Sequence, residues 1–563
     1  MLFSALGRDG GEAFRLGYVA GLVHYLISLY WLLLIPFPIG AIAGWLSLSA
    51  YLALYPAVWV WLSWKLIPRE FSPAASGANA LSETRSQNNP RRPRNPSLSD
   101  RSIRLSRSAP QSAESKEATK GSPAQIAVRL RPFAPVEALL SLSWGQRLRW
   151  TLSCALVWVA LEMVVGRFLT GFPWNFLGVS QYEMLPLIQI ASVTGIYGLS
   201  FLVAWFSVSF ANTMFILVLQ PTERWAWRGT IIVPMLTLAV VIAFGFRRAM
   251  HGPRSDRGLS VALVQPSIPQ TLIWDPRESS NRFQQLLQLS EQALANKPDL
   301  LVWPEAALPS TDQEMYRAIT NLVVSHNVWM IFGADDAQAV IQSSQVVDTN
   351  YFNSSFLLNP KGEVAGIYRK RRLVIFGEYV PLSRWLPFIK YLTPISGGFT
   401  PGDRPVPFRL SKPRATTSVL ICFEDVFPHL ARESATDDTD FLINLTNNGW
   451  FGESAAQWQH AASAVFRAVE NGLPLVRCAN NGLTCWVDSA GRLHEVNFRD
   501  SKDIYRAGFK LATIPLLPEG QKREATLYHR YGDWFGWGCV VLASLMVLSI
   551  VATPKVARPN QGN

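Results

Sequence analysis

Hydrophobic positions divide the chain into two apolar ends and a central region of mixed pattern. Apolar runs of about 20 residues, the length that crosses a bilayer, occur on both sides of that region. The pattern predicts six membrane spans, at 16–37, 40–64, 147–168, 187–219, 229–246 and 533–553. Residues 260–520 have the pattern of an ordinary globular domain. The chain is therefore predicted to be a membrane protein that carries one soluble domain.

Within the soluble domain, short β-rich apolar runs alternate with helical patterns. "SVALVQPSI" is typical of a buried strand, and "SNRFQQLLQLSEQALAN" has the spacing of an amphipathic helix. Alternation of strands and helices predicts an α/β fold. The turns "NPKG" and "DSAG" indicate hairpins, so we expect mixed rather than purely parallel sheets.

Charge is low and unevenly placed, which changes the interpretation of the net charge. Only 16% of residues are charged, yet the formal net charge is +12. Much of the excess lies in a Ser-, Pro- and Arg-rich stretch that cannot bury enough apolar surface to fold. We therefore predict a disordered linker rather than a nucleic-acid-binding surface. The expected organisation is spans in 1–67, linker in 68–145, spans in 146–250, catalytic domain in 251–525 and a last span with its tail in 526–563.

The distribution of Lys and Arg also predicts an orientation. Basic loops stay on the cytoplasmic side, so the linker is expected there. The short loop at 220–229, with Arg224 and Arg228, falls on the same side when the spans are counted. Residues 250–530 then lie outside. The third span contains Glu162, and an ionisable residue inside a span is by default a functional hypothesis.

The five cysteines show no repeated CxxC spacing, and two of them lie in apolar segments. A disulfide framework or a zinc site is therefore not expected. At most one pair, Cys478 with Cys485, has the placement to form a bridge.

Chemistry-bearing side chains follow several predicted strands. Glu305 follows "LVWP", Lys370 and Glu378 lie in "YRKRRLVIFGE", and Cys422 ends "SVLIC". Strand ends are where such groups converge in α/β sheets. A thiol nucleophile needs a base, and the acyl intermediate needs a donor for its oxyanion. Each residue alone has a plainer explanation as core or surface, but the combination favours nucleophilic catalysis.

These residues and their neighbours resemble a known family. Glu in "WPE", Lys in the "FGE" loop and Cys in "ICFE" are similar to the Glu–Lys–Cys triad of the nitrilase (carbon–nitrogen hydrolase) superfamily. The further motifs "TGFPW", "NLTNNGWFG", "WQH", "RCANNGLT" and "YGDW" resemble the apolipoprotein N-acyltransferases. The resemblance runs from about residue 14 to about residue 552, apart from the linker.

The resemblance implies an αββα sandwich inserted between transmembrane helices and facing the periplasm of a bacterial inner membrane. The implied reaction moves a fatty acyl group from a phospholipid to the α-amino group of a diacylglyceryl-cysteine at a lipoprotein N-terminus. The implied enzyme is a monomer that needs no cofactor, metal or nucleic acid. The family has more spans than the six found here, so two are absent or the start is misassigned.

The resemblance also assigns roles. Cys422 is the implied nucleophile that forms a thioester, Glu305 the base, and Lys370 the oxyanion donor. Glu378 and Glu424 are the implied supporting acids, with Glu424 expected in the wall beside Cys422. Asp425 has no counterpart and is expected at the surface.

Two aromatic positions and one loop carry weaker expectations. Trp274 and Trp450 match positions near the family's acyl path, although packing explains them equally well. The apolar loop at 379–399 has the composition of a lid, or of an ordinary packed loop.

Departures from the family pattern fall at Ile375, Phe423, Asn448 and Val165, and none removes a triad residue. The main alternative function is a membrane-tethered nitrilase-type amidase that gives the acyl group to water. A catalytically inactive scaffold or lipid-binding protein is disfavoured by the intact triad. A transporter is disfavoured by the size of the soluble domain.

Overall fold

The computed structural model describes most of the chain. The described residues are 9–68, 141–219, 225, 227–250, 256–273, 275–308, 312–342, 345–381, 385, 398–498, 501–521 and 523–552. Those up to Leu66 and from Ser143 onward belong to one compact unit. The predicted linker at 68–145 lies almost wholly outside the described residues, and its disorder stays a prediction.

Long helices account for the apolar ends of the chain. They are α1 (Gly10–Ser28), α2 (Pro38–Lys65), α3 (Trp144–Val165), α4 (Ile196–Leu219), α5 (Arg228–Met250) and, near the end of the chain, α11 (Trp534–Ala552). Among the described residues, five helices are long and apolar enough to cross a membrane, namely all of these except α1.

Five described helices meet this criterion where the sequence predicts six spans, and the difference lies in the first predicted span, whose assignment stays a prediction. Helix α1 ends at Ser28, and a 3-10 turn follows at Tyr30–Leu34. Pro38 then begins α2, because proline fits the first helical position but cannot continue a preceding helix. The predicted span at 187–219 is also divided. Gly195, with φ of 67°, separates the short helices Leu185–Ile188 and Ala191–Thr194 from α4.

The soluble domain contains two six-stranded sheets. Along the chain, the strands are β1 (Gly258–Gln265), β2 (Leu300–Val302), β3 (Trp329–Gln342), β4 (Gln345–Leu358), β5 (Val364–Arg369), β6 (Pro407–Ser411), β7 (Arg414–Ile421), β8 (Phe441–Thr446), β9 (Leu475–Ala479), β10 (Cys485–Val487), β11 (Leu493–His494) and β12 (Gly508–Pro515). The first sheet has the order β12-β1-β2-β3-β4-β5, and the second β11-β10-β9-β8-β7-β6.

Both sheets are mixed, as the turn motifs predict. In the first, β1, β2 and β3 run parallel, and β12, β4 and β5 pair antiparallel. In the second, β7, β8 and β9 run parallel, with antiparallel strands outside them. Parallel strands deliver their carboxyl ends to one edge, which is where Glu305 and Cys422 follow their strands.

Helices cover the outer faces of the sheets. Helices α6 (Ser279–Leu294) and α7 (Gln313–His326) pack on the first sheet. Helices α8 (Pro428–Ser434) and α9 (Ala456–Asn471) cover the second, and the short helix α10 (Leu527–Tyr531) precedes α11. The inner faces of the sheets pack against each other through one apolar cluster. The predicted αββα sandwich is therefore confirmed.

Candidate active site

Three strand ends bring Glu305, Lys370 and Cys422 to one place between the sheets. Glu305 follows β2, Lys370 follows β5, and Cys422 follows β7. Lys370 Nζ donates to Glu305 Oε1 at 2.9 Å. The charges of both residues act on the Cys422 thiol. The structure thus brings together the carboxylate, the ammonium and the thiol that the sequence singles out.

Lys370 is almost fully buried and has two carboxylate partners. Its Nζ donates to Glu378 Oε1 at 2.9 Å as well as to Glu305. Burial alone would lower the pKa of Lys370, but the two carboxylates outweigh it and hold that pKa well above its usual value. Lys370 is therefore protonated at neutral pH in this site. Glu378, predicted as a supporting acid, also accepts from the Val374 N–H at 2.8 Å, which fixes the loop after Lys370.

Asn353 joins the two carboxylates, and sequence reasoning missed it. Its Nδ2 donates to Glu305 Oε1 at 2.9 Å and to Glu378 Oε1 at 2.7 Å. Asn353 lies within β4, so no strand-end pattern marks it. The backbone of Glu305 also rests directly against Gly333. A Cβ at Gly333 would meet the Glu305 Cα at 2.8 Å, so only glycine permits this approach.

Cys422 is held on a sharp turn between β7 and a 3-10 turn, Cys422–Val426. Its φ is 51°, in the left-handed region that non-glycine residues rarely adopt. The residue is half-buried. Burial, with the nearby charge of Glu305, raises the pKa of the thiol to about 12, although Lys370 opposes this. At neutral pH the thiol keeps its proton, so a nucleophilic role requires a base to take that proton during attack.

Glu424 does more than form a wall beside Cys422, because its carboxylate ties two strand ends together. Oε2 accepts from the Ile421 N–H at 2.8 Å and from the Tyr368 hydroxyl at 2.8 Å. Oε1 accepts from the N–H groups of Arg371 at 2.7 Å and Arg372 at 3.0 Å. These bonds hold the end of β5, which carries Lys370, against the end of β7. Burial raises the pKa of Glu424, while its donors oppose that rise.

The expectation that Asp425 lies at the surface is wrong. Asp425 is fully buried and forms an ion pair with the buried Arg477. Its Oδ1 also lies 2.7 Å from His460 Nε2. The sequence pattern could not show this, since Arg477 is in β9 and His460 is in α9.

Aromatic side chains form a layer between the membrane helices and the thiol. The aromatic layer consists of Trp31, Phe172, Trp174, Phe423 and Phe451. Trp174 stacks on Phe423, the residue after Cys422, with ring centroids 6.1 Å apart. Trp31 lies 5.2 Å from Trp174 and 4.5 Å from Phe451. This layer gives the site an apolar side that faces the membrane helices.

Glutamine and glutamate side chains fix the aromatic layer. Gln459 Oε1, on α9, accepts from the indole N–H of Trp31 at 2.9 Å and of Trp174 at 2.8 Å. Glu162 Oε1, inside α3, accepts from the Leu177 N–H at 2.7 Å and from the indole of Trp158 at 2.9 Å. Glu162 thus secures the chain just after Trp174, which is a positioning role within the membrane bundle.

Some predicted features stay untested by the structure. Trp274 lies outside the described residues, as does most of the predicted lid at 379–399. Trp450 is half-buried in the 3-10 turn Asn448–Phe451.

All five cysteines are free, so the possible Cys478–Cys485 bridge is absent. Among the described residues, no group of three or more His, Cys, Asp or Glu side chains is placed to hold a metal ion.

A family model described as carbon–nitrogen hydrolase matches residues 260–517, the soluble domain. A mutant of the Nesterenkonia AN1 amidase, from the nitrilase superfamily, aligns in structure with 47% of this chain and 93% of its own. The sequence identity is 16% and the TM-score 0.34. The soluble domain therefore has the nitrilase fold, on the family match and the sandwich described above.

The membrane part narrows the assignment. A family model described as the apolipoprotein N-acyltransferase N-terminal domain matches residues 124–209. An apolipoprotein N-acyltransferase of Geobacter metallireducens is 33% identical over 97% of this chain and 88% of its own length. One from Rickettsia prowazekii is 35% identical over 61% of this chain and 68% of its own length. The chain belongs to the apolipoprotein N-acyltransferase family.

Proposed function

We propose that the chain transfers a fatty acyl group from a membrane phospholipid to the N-terminal α-amino group of a diacylglyceryl-cysteine in an apolipoprotein. Family membership supports N-acylation of lipoproteins. One observation carries the mechanism: Cys422 stands at a strained strand end, with Glu305 and Lys370 beside it and an aromatic layer on its membrane side. We further propose that the protein acts as a monomer.

In the first half-reaction, the Cys422 sulfur attacks an ester carbonyl of the phospholipid while Glu305 takes the thiol proton. This timing is required because the raised pKa of Cys422 leaves little free thiolate. The Lys370 ammonium stabilises the oxyanion of the tetrahedral intermediate. The ester C–O bond then breaks, and the lysophospholipid oxygen leaves with the proton held by Glu305. The product on the enzyme is a Cys422 thioester.

In the second half-reaction, the α-amine of the acceptor attacks the thioester carbonyl. Glu305 takes a proton from the amine, and Lys370 again stabilises the oxyanion. The C–S bond breaks, and the departing sulfur recovers a proton from Glu305. Glu378 and Asn353 act as supporting groups, because they hold Lys370 and Glu305 at their places. Glu424 supports the site by joining the two strand ends.

The membrane part fits a lipid donor and a lipid acceptor. Each buried CH₂ contributes about 0.8 kcal/mol to holding a chain in the bilayer, so neither substrate leaves it readily. The five apolar helices and the aromatic layer are suited to present an acyl chain to Cys422 without crossing water. We place the protein in a bacterial inner membrane with the soluble domain on the periplasmic side. The charge of the predicted linker and of loop 220–229 supports this orientation.

The test is an intact-mass measurement after incubation of the purified full chain with phospholipid vesicles. The expected result is a fatty-acyl mass increase that hydroxylamine removes, that Cys422→Ala lacks and that Cys478→Ala retains. Cys478 is the matched control, because it is a buried free cysteine of the same domain. Absence of the adduct on folded wild type, or its presence on Cys422→Ala, contradicts the thioester mechanism.

A second step identifies the acceptor. The acyl-enzyme is isolated and mixed with a synthetic diacylglyceryl-cysteinyl peptide. We expect the fatty-acyl mass to move from the protein to the peptide amine, with a slower loss to water when the peptide is absent. Release of free fatty acid at the same rate with and without peptide would contradict acyl transfer. Turnover of small amides would then be measured, since that result favours the amidase alternative.

A further inference from the structure

A buried polar network lies directly beneath the Cys422 turn, and the proposed reaction does not use it. Asp425 forms an ion pair with Arg477, and both side chains are fully buried. On its other side, Asp425 Oδ1 lies 2.7 Å from His460 Nε2. His460 is itself almost fully buried, near the start of α9. Buried ionised groups are retained only when they are paired, so this network has a defined geometry.

The network ends on the backbone of the nucleophile. His460 Nε2 faces two acceptors, Asp425 Oδ1 at 2.7 Å and the Cys422 carbonyl oxygen at 3.2 Å, so its single N–H is shared between them. Asn444 Nδ2, from β8, donates to the same carbonyl oxygen at 3.0 Å. Two side chains from different elements therefore fix one carbonyl, and Asp425 orients one of them. The Cys422 carbonyl belongs to the residue with the left-handed φ, so these bonds hold the turn in its rare conformation.

Fixing this carbonyl also fixes the next N–H. The Cys422–Phe423 peptide is trans, so the Phe423 N–H points away from His460 and Asn444. The backbone N–H that follows a nucleophile on such a turn is well placed to donate to an acyl oxyanion. Lys370 supplies the other donor. Rotation of the peptide would move the Phe423 N–H, and relaxation of the left-handed φ at Cys422 would re-aim the thiol.

We propose that His460 and Asp425 are positioning residues, which orient the Cys422–Phe423 peptide so that the thiol and the Phe423 N–H meet the acyl carbonyl together. Asp425 orients the His460 ring, and His460 together with Asn444 holds the Cys422 carbonyl. No bond is made or broken by either residue. For acylation by phospholipid the inference rests on the proposed function, whereas alkylation of Cys422 tests it independently of the donor.

The experiment compares His460→Leu, His460→Gln and Asn471→Leu in the full chain. Leucine removes the donor, whereas the glutamine amide can restore an N–H near the position of Nε2. Asn471 is the matched control: it is a buried polar residue at the other end of α9 and contacts the Arg467 carbonyl rather than Cys422. Asp425→Asn is avoided as the main variant, because it would leave Arg477 as an uncompensated buried charge.

Three quantities are measured for each variant: the rate constant of Cys422 acylation at saturating phospholipid, the half-saturating phospholipid concentration, and the unfolding temperature. We expect His460→Leu to slow acylation by about 10²-fold, the effect of losing an oxyanion donor. The half-saturating concentration should stay within about threefold, because substrate binding is not changed. His460→Gln should recover most of the rate. Asn471→Leu should lower the unfolding temperature without changing the acylation rate constant of the folded protein.

Alkylation by iodoacetamide, followed by mass mapping of Cys422, separates this inference from the proposed function. If wild type forms no acyl-enzyme, the proposed acylation by phospholipid is wrong, and alkylation alone decides the positioning role. We expect slower alkylation in His460→Leu, because the thiol leaves its place beside Glu305, and recovery in His460→Gln. The inference is overturned if His460→Leu loses only stability, as Asn471→Leu does, or if His460→Gln is as slow as His460→Leu.

Discussion

The two halves of the sandwich are built alike but have different surroundings. In the first half, α7 has three buried residues among its 14, and its other face is exposed. In the second half, α9 has 14 buried residues among its 16. The sheet lies on one side of α9, and segments of the membrane helices lie on the other. Helix α9 is therefore an internal helix, although it covers the second sheet as α7 covers the first.

The two halves also contribute different chemical groups to the site. The first half supplies the charged groups, Glu305, Lys370 and Glu378, and the second half supplies Cys422. The thiol is thus on the half that contacts the membrane helices, where an acyl chain would arrive. The polar residues of α9 serve both contacts: Gln459 binds the aromatic layer, and the adjacent His460 binds the Cys422 turn. We infer that α9 connects the membrane part with the catalytic turn.

The largest expected effect comes from removing the proposed base of the first half, Glu305, which faces the Cys422 thiol of the second half. Glu305→Gln should slow acylation by about 10²–10⁴-fold, the usual contribution of a general base. The same change should lower the pKa of Cys422, because the Glu305 charge helps to raise it and Lys370 still opposes it. The pH profile of Cys422 alkylation measures that shift. An unchanged or higher alkylation pKa would contradict the proposed pairing, and the exposed Glu314→Gln on α7 is the control.

A matched pair of arginine substitutions tests the contrast between the helices. Arg467→Met on α9 should lower the free energy of unfolding by about 3–5 kcal/mol at pH 8, because it leaves Glu470 buried without its partner. Arg317→Met on the exposed face of α7 should change it by less than about 0.5 kcal/mol. Unfolding in detergent micelles measures both. Equal losses in the two variants would mean that α9 is not an internal helix.

A smaller effect is expected at the contact between α9 and the aromatic layer. Gln459→Leu removes the shared acceptor of two indole N–H groups, at Trp31 and Trp174. Each buried donor left without a partner costs about 1–3 kcal/mol, less whatever water can satisfy. We expect lower stability together with slower acylation, because Trp174 would lose its place over Phe423. Gln313→Leu at the exposed start of α7 should change neither quantity.

The smallest effect is a pH dependence of stability from Glu470. Burial, opposed in part by Arg467, raises the pKa of Glu470 from 4.5 to about 7. Between these values the folded chain binds a proton that the unfolded chain has lost, so this contribution to stability falls as pH rises through the window. The slope is at most about 1.4 kcal/mol per pH unit. Glu470→Gln should remove it, whereas Glu314→Gln should not. A wild-type slope equal to that of Glu470→Gln would contradict the shift.

The sequence predicts the parts of the site that follow strands. Glu305, Lys370 and Cys422 are found because apolar runs end at them or shortly before them, and parallel strands bring such ends together. The same reasoning predicts the mixed α/β sandwich. Asn353 is missed because it lies inside β4, where its side chain carries no signal of the two carboxylates it binds.

Ion pairs between residues far apart in the chain explain why the burial of Asp425 is not predicted. In the sequence, Asp425 looks exposed because no residue close to it in the chain suggests a buried ion-pair partner. Its partners, His460 and Arg477, become neighbours only when α9 and β9 pack beneath the turn.

The first predicted membrane span is longer than the helix for a local reason. The residues stay hydrophobic through 29–37, but the backbone leaves the helix at Leu29.

The left-handed turn at Cys422 implies a compromise between durability and reactivity. A non-glycine residue in this conformation carries a penalty of about 1–2 kcal/mol that glycine escapes. Cys422→Gly is therefore expected to relax the turn while removing the thiol that we propose as the nucleophile. A search for more heat-resistant versions of this protein, made without an activity screen, would favour loss of that thiol.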